Sequence, residues 1–221
     1  NLQKLKEKNI DLDIKCFYNN NNLEEIIKNK FGHEYIMIGP QKKITAFVPI
    51  KLNSQRLPNK MFLPLGDKFL CEHIFDKLLA VKQLIDIEIY CYCSDEKIKQ
   101  YLPEGVNFLK RNQSLDSNET KGLDIYKSFI ELIDSDIYCL CHATSPFIKC
   151  ESILNGINKV CNEKYDSAFS ASKIQTFSWY KNKPINYDLT NVVKTQDIEP
   201  IFWETSAFYI FNKDVLLDHN R

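Results

Sequence analysis

Glycine is scarce in this chain, with six in 221 residues. That excludes glycine-rich phosphate loops of the Walker or dinucleotide type, in which several glycines let backbone approach phosphate closely. Net charge is also missing: 29 Lys and Arg balance 29 Asp and Glu. A neutral chain has no general pull on nucleic acid or on an anionic membrane, and neither is expected as a partner. No apolar run approaches the ~20 residues needed to cross a bilayer, and no signal-peptide pattern opens the chain. The eight cysteines lack the Cys-x₂-Cys spacing of zinc sites. Cys91 and Cys93, like Cys139 and Cys141, are separated by one residue inside apolar runs, so each pair shares one strand face. Free buried thiols in a reducing cytoplasm are therefore expected. The numbered chain begins with Asn1 rather than Met and is read as a fragment or excised domain.

What is present is a basic window. No acidic residue stands between Glu34 and Asp67, whereas Lys42, Lys43, Lys51, Arg56 and Lys60 all do. The run 44–50 is short, apolar and β-rich, which predicts a buried strand that empties into a loop carrying Lys51, Arg56 and Lys60. A basic loop at the C-terminal end of a parallel strand is a place where α/β sheets bind phosphate. Charge alone leaves a solvated basic loop equally open.

Residues 1–43 read as an N-terminal extension or the tail of an upstream domain. Within them, 1–8 and 23–30 are expected to be helical and 12–18 and 34–38 to be strands, with 39–43 punctuating like a linker. From residue 44 the pattern becomes regular. Strands are expected at 87–93, 106–109, 137–141 and 167–170, with helices at 71–81, 97–101, 122–133 and 152–161. Such alternation predicts an α/β fold, a doubly wound, mainly parallel sheet. Residues 175–193 break the pattern: Phe177, Trp179, Tyr180 and Tyr187 lie among Asn, Lys and Pro, which predicts a protruding hairpin or arm. An exposed aromatic arm needs a cover, and a second subunit gives a homodimer. The run 201–210 is again β-type, broken at Glu204-Thr205-Ser206, and 214–221 starts a helix.

Three loops then fall at strand C-terminal ends: 51–60, Ser94-Asp95 and 142–146. Cations in the first, with hydroxyls and an imidazole in the third, specify a small anionic ligand such as a phosphate ester. The segment Val48-Pro49-Ile50-Lys51-Leu52-Asn53-Ser54-Gln55-Arg56-Leu57-Pro58-Asn59-Lys60 resembles the opening signature of the sugar-acid cytidylyltransferases, above all the acylneuraminate branch. Tyr92-Cys93-Ser94-Asp95, Ala143-Thr144-Ser145-Pro146-Phe147 and Glu204-Thr205-Ser206-Ala207-Phe208-Tyr209-Ile210 are similar to further motifs of that family, in the same order.

The resemblance implies a Rossmann-like nucleotidyltransferase domain over residues 44–221. Its substrates would be CTP and a nonulosonic or related sugar acid, its products a CMP-sugar and pyrophosphate, and its cofactor Mg²⁺. It further implies a role in surface polysaccharide biosynthesis. Transfer of this kind asks a protein mainly for positioning and positive charge. By resemblance Lys60, Lys51 and Arg56 are the catalytic cations. Ile50, Leu52, Asn53, Ser54, Ser94, Asp95, Arg111 and Thr120 surround the nucleotide, with the loop 114–120 over base or ribose. His142, Thr144, Ser145, Gln196, Glu204 and Thr205 face the acceptor. The family's paired metal-binding aspartates would fall beyond Arg221, so no metal ligand is assigned.

Departures from the family pattern narrow this reading. Lys51 stands for an Arg and loses its planar fork, Met61 for an Asn, His142 for a Gln, and Ser206 for a Gly. Asp95 is either an N-cap or a catalytic or metal ligand, Arg56 either an active-site cation or a surface ion-pair partner. His142 is either a satisfied strand-end histidine or a general base; His33 and His73 read as structural. Two alternative functions stand beside the first. One is cytidylyl transfer to 3-deoxy-manno-octulosonate or a phosphorylated polyol, the other a non-catalytic nucleotide-binding module of a larger protein.

Overall fold

The structure is a computed structural model and describes residues 42–55, 57–162 and 165–219. The helices and strands expected within 1–41, and Arg56, lie outside the described residues.

A six-stranded sheet forms the body. Its strands in chain order are β1 (Ile44–Ile50), β4 (Glu88–Cys93), β5 (Asn107–Lys110), β6 (Ile137–Cys141), β7 (Ser167–Ile174) and β10 (Ile201–Asn212). Two short ladders flank it, β2 (Pro64–Leu65) with β3 (Lys68–Phe69) and β8 (Trp179–Tyr180) with β9 (Lys183–Pro184). The helices are α1 (Leu70–Lys82), α2 (Gly122–Leu132), α3 (Cys150–Asn162) and α4 (Lys213–His219). Sheet order is β5-β4-β1-β6-β10-β7. β1, β4, β5 and β6 run parallel, and β10 is antiparallel to both its neighbours.

The apolar runs of β1 and β6 reflect burial on both faces, as a covered parallel sheet requires. Alternation along each strand sorts side chains into two cores. Ala46, Val48, Ile50, Ile89, Cys91, Cys93, Cys139 and Cys141 pack on α1 and α3. Phe47, Tyr92, Tyr138 and Leu140 pack on α2 and α4 through Phe129, Ile130 and Leu216. Helices on both faces make the fold doubly wound. Each cysteine pair occupies one face as expected, with Cys139 and Cys141 sulfurs 3.6 Å apart. The seven cysteines among the described residues are free, and burial pushes the Cys71 and Cys161 thiols up to about 11.

Three of the expected elements differ in extent or kind. The strand expected over 167–170 continues to Ile174, because β10 supplies a partner along that length. The helix expected at 97–101 is a 3₁₀ turn, Glu96–Tyr101. The break at Glu204–Ser206 is a bulge within one long strand: Glu204 pairs with Ala171 but Tyr209 with Phe169, and Ser206 takes φ 55°. The arm at 175–193 is a short hairpin that leaves Trp179 and Tyr180 more than half exposed.

β1 lies between strands that follow it on opposite sides, so the chain reverses its winding at the β1–β6 boundary. The C-terminal ends of such strands open a crevice. Phe129 holds the α2 face to this frame. Its ring stacks on Phe47 at 4.1 Å and meets Tyr92 edge-on at 5.3 Å. We expect Phe129→Ala to lower unfolding free energy by about 3–5 kcal/mol, read from the urea midpoint.

Candidate active site

The first loop is shaped by an apolar anchor. Met61 is buried in the main core at 5% exposure, inside a 3₁₀ turn Lys60–Phe62 that follows Asn59 at φ 53°. Asn tolerates this left-handed backbone. The anchor explains why an apolar residue occupies position 61, and it turns Lys60 toward the crevice. Lys51 leaves the end of β1 and meets Asn118 Oδ1 at 3.3 Å and the Ser117 carbonyl at 3.5 Å. The Lys60 ammonium takes no hydrogen bond or ion pair among the described residues.

A cleft of about 330 Å³ lies between these cations and the end of β6, lined by Lys51, Ser54, Lys60, Asn118, His142 and Thr144. The structure thus brings together Lys51, Ser54, Lys60, His142 and Thr144. Gln55 and Met61 also line it. Other expected residues stand behind or beside it. Ile50 is buried in β1, Leu52 packs on the core, and Asn53 is exposed next to Ser54. Thr120 is half-buried outside the cleft lining.

Arg111 sits beneath the cleft wall at 2% exposure. Its Nη2 donates to the Ile50 carbonyl at 2.9 Å and to Asp116 Oδ1 at 2.6 Å, and its Nη1 to the Tyr92 carbonyl at 3.2 Å. Ser94 Oγ donates to the other Asp116 oxygen. Asp95 accepts from the Lys97 amide at 2.9 Å, which makes it the N-cap of the turn that follows. Asp116 was not singled out from sequence; its only signal was a position five residues beyond Arg111.

His142 separates the cleft from a recess of about 580 Å³ lined by Leu123, Tyr126, Glu204, Ser206 and Tyr209 among others. Its Nδ1 lies 2.6 Å from the Ser206 carbonyl and its Nε2 3.3 Å from the Tyr126 hydroxyl. Burial lowers its pKa below 6.5, partly opposed by the hydrogen bond to Ser206. Glu204 accepts the Tyr209 hydroxyl proton, and Ser206 Oγ lies 3.0 Å from the same hydroxyl. A third cavity, about 880 Å³, holds Thr144, Ser145 and Thr205 on the α3 side of the sheet. Thr205 Oγ1 bonds the Ser170 hydroxyl at 2.8 Å, which ties it to β7. Gln196 is exposed on a turn outside all three cavities.

A family model for cytidylyltransferases matches residues 45–219. The chain belongs to the cytidylyltransferase family. An N-acylneuraminate cytidylyltransferase of Streptococcus agalactiae serotype III is 23% identical to this family member over 184 residues, covering 79% of the chain and 45% of the relative. The Oncorhynchus mykiss N-acylneuraminate cytidylyltransferase is 22% identical over 185 residues, covering 79% and 42%. The chain spans less than half the length of these curated relatives. Among solved structures, CMP:2-keto-3-deoxy-manno-octonic acid synthetase complexed with CTP is similar in fold at TM-score 0.60 and 15% identity, covering 80% of this chain and 77% of that one. The 4-diphosphocytidyl-2C-methyl-D-erythritol synthase of Anaerococcus prevotii gives TM-score 0.53 at 13% identity, covering 79% and 73%.

Among the described residues no group of three or more His, Cys, Asp or Glu side chains is placed to hold a metal ion. Asp95 and Asp116 are engaged as above, so these residues do not by themselves build a Mg²⁺ site, and no step is routed through one. Removing Asp116 strands the Arg111 charge beneath the cleft. We expect Asp116→Ala to cost about 3–5 kcal/mol in urea unfolding, with Asp116→Asn, which keeps an acceptor, losing less.

Proposed function

We propose that this cytidylyltransferase-family chain transfers CMP from CTP to a hydroxyl of a nonulosonic or related sugar acid, releasing pyrophosphate. One observation carries the reading: Lys60, whose ammonium has no hydrogen bond or ion pair among the described residues, lines a strand-end cleft together with Lys51 and His142. The acceptor oxygen attacks the α-phosphorus, and the bond from that phosphorus to the β-phosphate bridging oxygen breaks. Negative charge grows on the departing pyrophosphate. Cations fixed where that charge develops lower the barrier, because they need no reorganisation during the step. Lys60 fills this role. Lys51 holds the loop 112–121 over the triphosphate through Asn118, and Ser54 offers a hydroxyl to a phosphate oxygen. A divalent cation accompanying the triphosphate would neutralise part of its charge.

The acceptor reading has two rivals of the same chemistry. Relatives named for N-acylneuraminate favour a nonulosonic acid. Fold neighbours named for a keto-deoxy-octonic acid and a methylerythritol favour a shorter acid or a phosphorylated polyol. The exposed Trp179 and Tyr180 of the arm support a homodimer formed through residues 175–193. Sedimentation should then show dimers, and Trp179→Glu with Tyr180→Glu should shift them to monomers; a wild-type monomer at high concentration excludes this interface.

Lys60→Ala should cut pyrophosphate release from CTP plus acceptor by about 10²–10³-fold while near-UV circular dichroism stays unchanged. Full activity in that variant would remove Lys60 from the mechanism. CTP binding by calorimetry without turnover on any acceptor would favour a nucleotide-binding module.

A further inference from the structure

We propose that His142 is the base that takes the proton from the attacking acceptor hydroxyl, and that the recess behind it holds the uncharged body of the acceptor. The proposal rests on the transferase reading above and deepens it.

Position comes first. His142 lines both the cleft that contains Lys51 and Lys60 and the recess that contains Tyr126 and Tyr209. An acceptor hydroxyl must meet the α-phosphorus at such a boundary, with the nucleotide on the cation side and the acceptor on the other. The backbone is fixed there, since the His142 amide donates to the Ala207 carbonyl at 3.0 Å.

Orientation follows from hydrogen-bond chemistry. A carbonyl only accepts, so the 2.6 Å contact with Ser206 places the proton on Nδ1. The lone pair of the neutral ring is then on Nε2, the atom that faces Tyr126. The Tyr126 hydroxyl donates to it from 3.3 Å, a long contact that a closer substrate hydroxyl replaces. The Ser206 carbonyl is presented by the bulge in β10, where a non-glycine residue sits at φ 55°. Backbone held in this sparsely populated region is compatible with a positioning role at a site.

Charge supports the same assignment. The groups facing His142 are Tyr126 from α2, Glu204, Ser206 and Tyr209 from β10, and Lys51 and Lys60 across the cleft. Among the described residues that line the recess Glu204 is the one carboxylate, and it already accepts the Tyr209 hydroxyl. Burial disfavours an imidazolium and outweighs the opposing hydrogen bond to Ser206, so the ring stays neutral near pH 7.

Among the described residues that line it the recess has no Lys or Arg, and Leu123, Leu140, Ile210 and Phe211 form its apolar part. It suits deoxygenated, methyl or acyl groups flanked by hydroxyls. A carboxylate belongs on the lysine side. An acid whose reacting hydroxyl and carboxylate share one carbon meets both demands, because that carbon sits at the boundary while the remainder enters the recess. In the step, the acceptor O–H proton moves to Nε2 as the new O–P bond forms. The bond to the β-phosphate oxygen breaks, its electron pair leaves with pyrophosphate, and Nε2 then returns the proton to solvent.

The test measures pyrophosphate release between about pH 5 and about pH 9 for wild type, His142→Gln and Tyr126→Phe. Acceptors are N-acetylneuraminic acid, 2-keto-3-deoxy-manno-octonic acid and 2-C-methylerythritol 4-phosphate. His142→Gln should keep KM for CTP, lose about 10²–10⁴-fold in kcat, and lose the acid limb that wild type shows below pH 6.5. Tyr126→Phe should retain that limb. Nitrogen-15 spectra of wild type should show a neutral, Nδ1-protonated ring. Turnover by wild type with an unchanged kcat or acid limb in His142→Gln would overturn the base alone, as would an Nε2-protonated ring. No release by wild type with any acceptor would overturn the transferase reading and the base with it.

Discussion

The candidate site hangs on one buried guanidinium. Arg111 takes a full positive charge out of water, which costs several kcal/mol unless geometry and hydrogen bonds offset it. The offset comes from the Ile50 and Tyr92 carbonyls, the Asp116 carboxylate and the Tyr92 ring face 5.6 Å away. Each partner belongs to a different piece of the crevice: the end of β1, the end of β4 and the turn after β5. One side chain therefore fixes the relative positions of three segments whose own hydrogen bonds run out at the sheet edge.

The surface arrangement follows from that tie. Asp116, held by Arg111 and Ser94, sets the turn that carries Ser117 and Asn118 to Lys51. Met61, sunk into the core, pins the other end of the first loop beside Lys60. The cations thus stand close together although their loop has few regular hydrogen bonds. Concentrated positive charge on a rigid frame is what transfer from a triphosphate requires, since the protein supplies field and position rather than covalent chemistry.

Several features were legible in the chain. The continuous apolar runs of β1 and β6 mark covered parallel strands, and the spacing of Cys91 with Cys93 and of Cys139 with Cys141 places each pair on one face. Lys51, Ser54, Lys60, His142 and Thr144 could be grouped because each follows a strand end closely in sequence. Asp116, Asn118, Tyr126 and Tyr209 were harder. Asp116 lies 22 residues from Ser94, Asn118 67 from Lys51 and Tyr126 16 from His142, and no local pattern records such pairings. Arg111 could be singled out by motif, but only the structure placed it under the wall rather than in the cleft. Asp95 offered two roles, and its contact with the Lys97 amide made it a cap.

The sequence by itself determined the alternation of strands and helices, the neutral body with one basic loop, and the motif order that points to nucleotide chemistry. These properties are local, written in periodicity, charge and short spacing. Tertiary structure alone decided which residues share a cavity, which groups the two ring nitrogens of His142 meet, and how the bulge at Ser206 reaches one of them. Those outcomes depend on hydrogen bonds between strands and loops distant in the chain, such as His142 to Ser206 across 64 residues. Such bonds become definite once the sheet order brings β6 and β10 together.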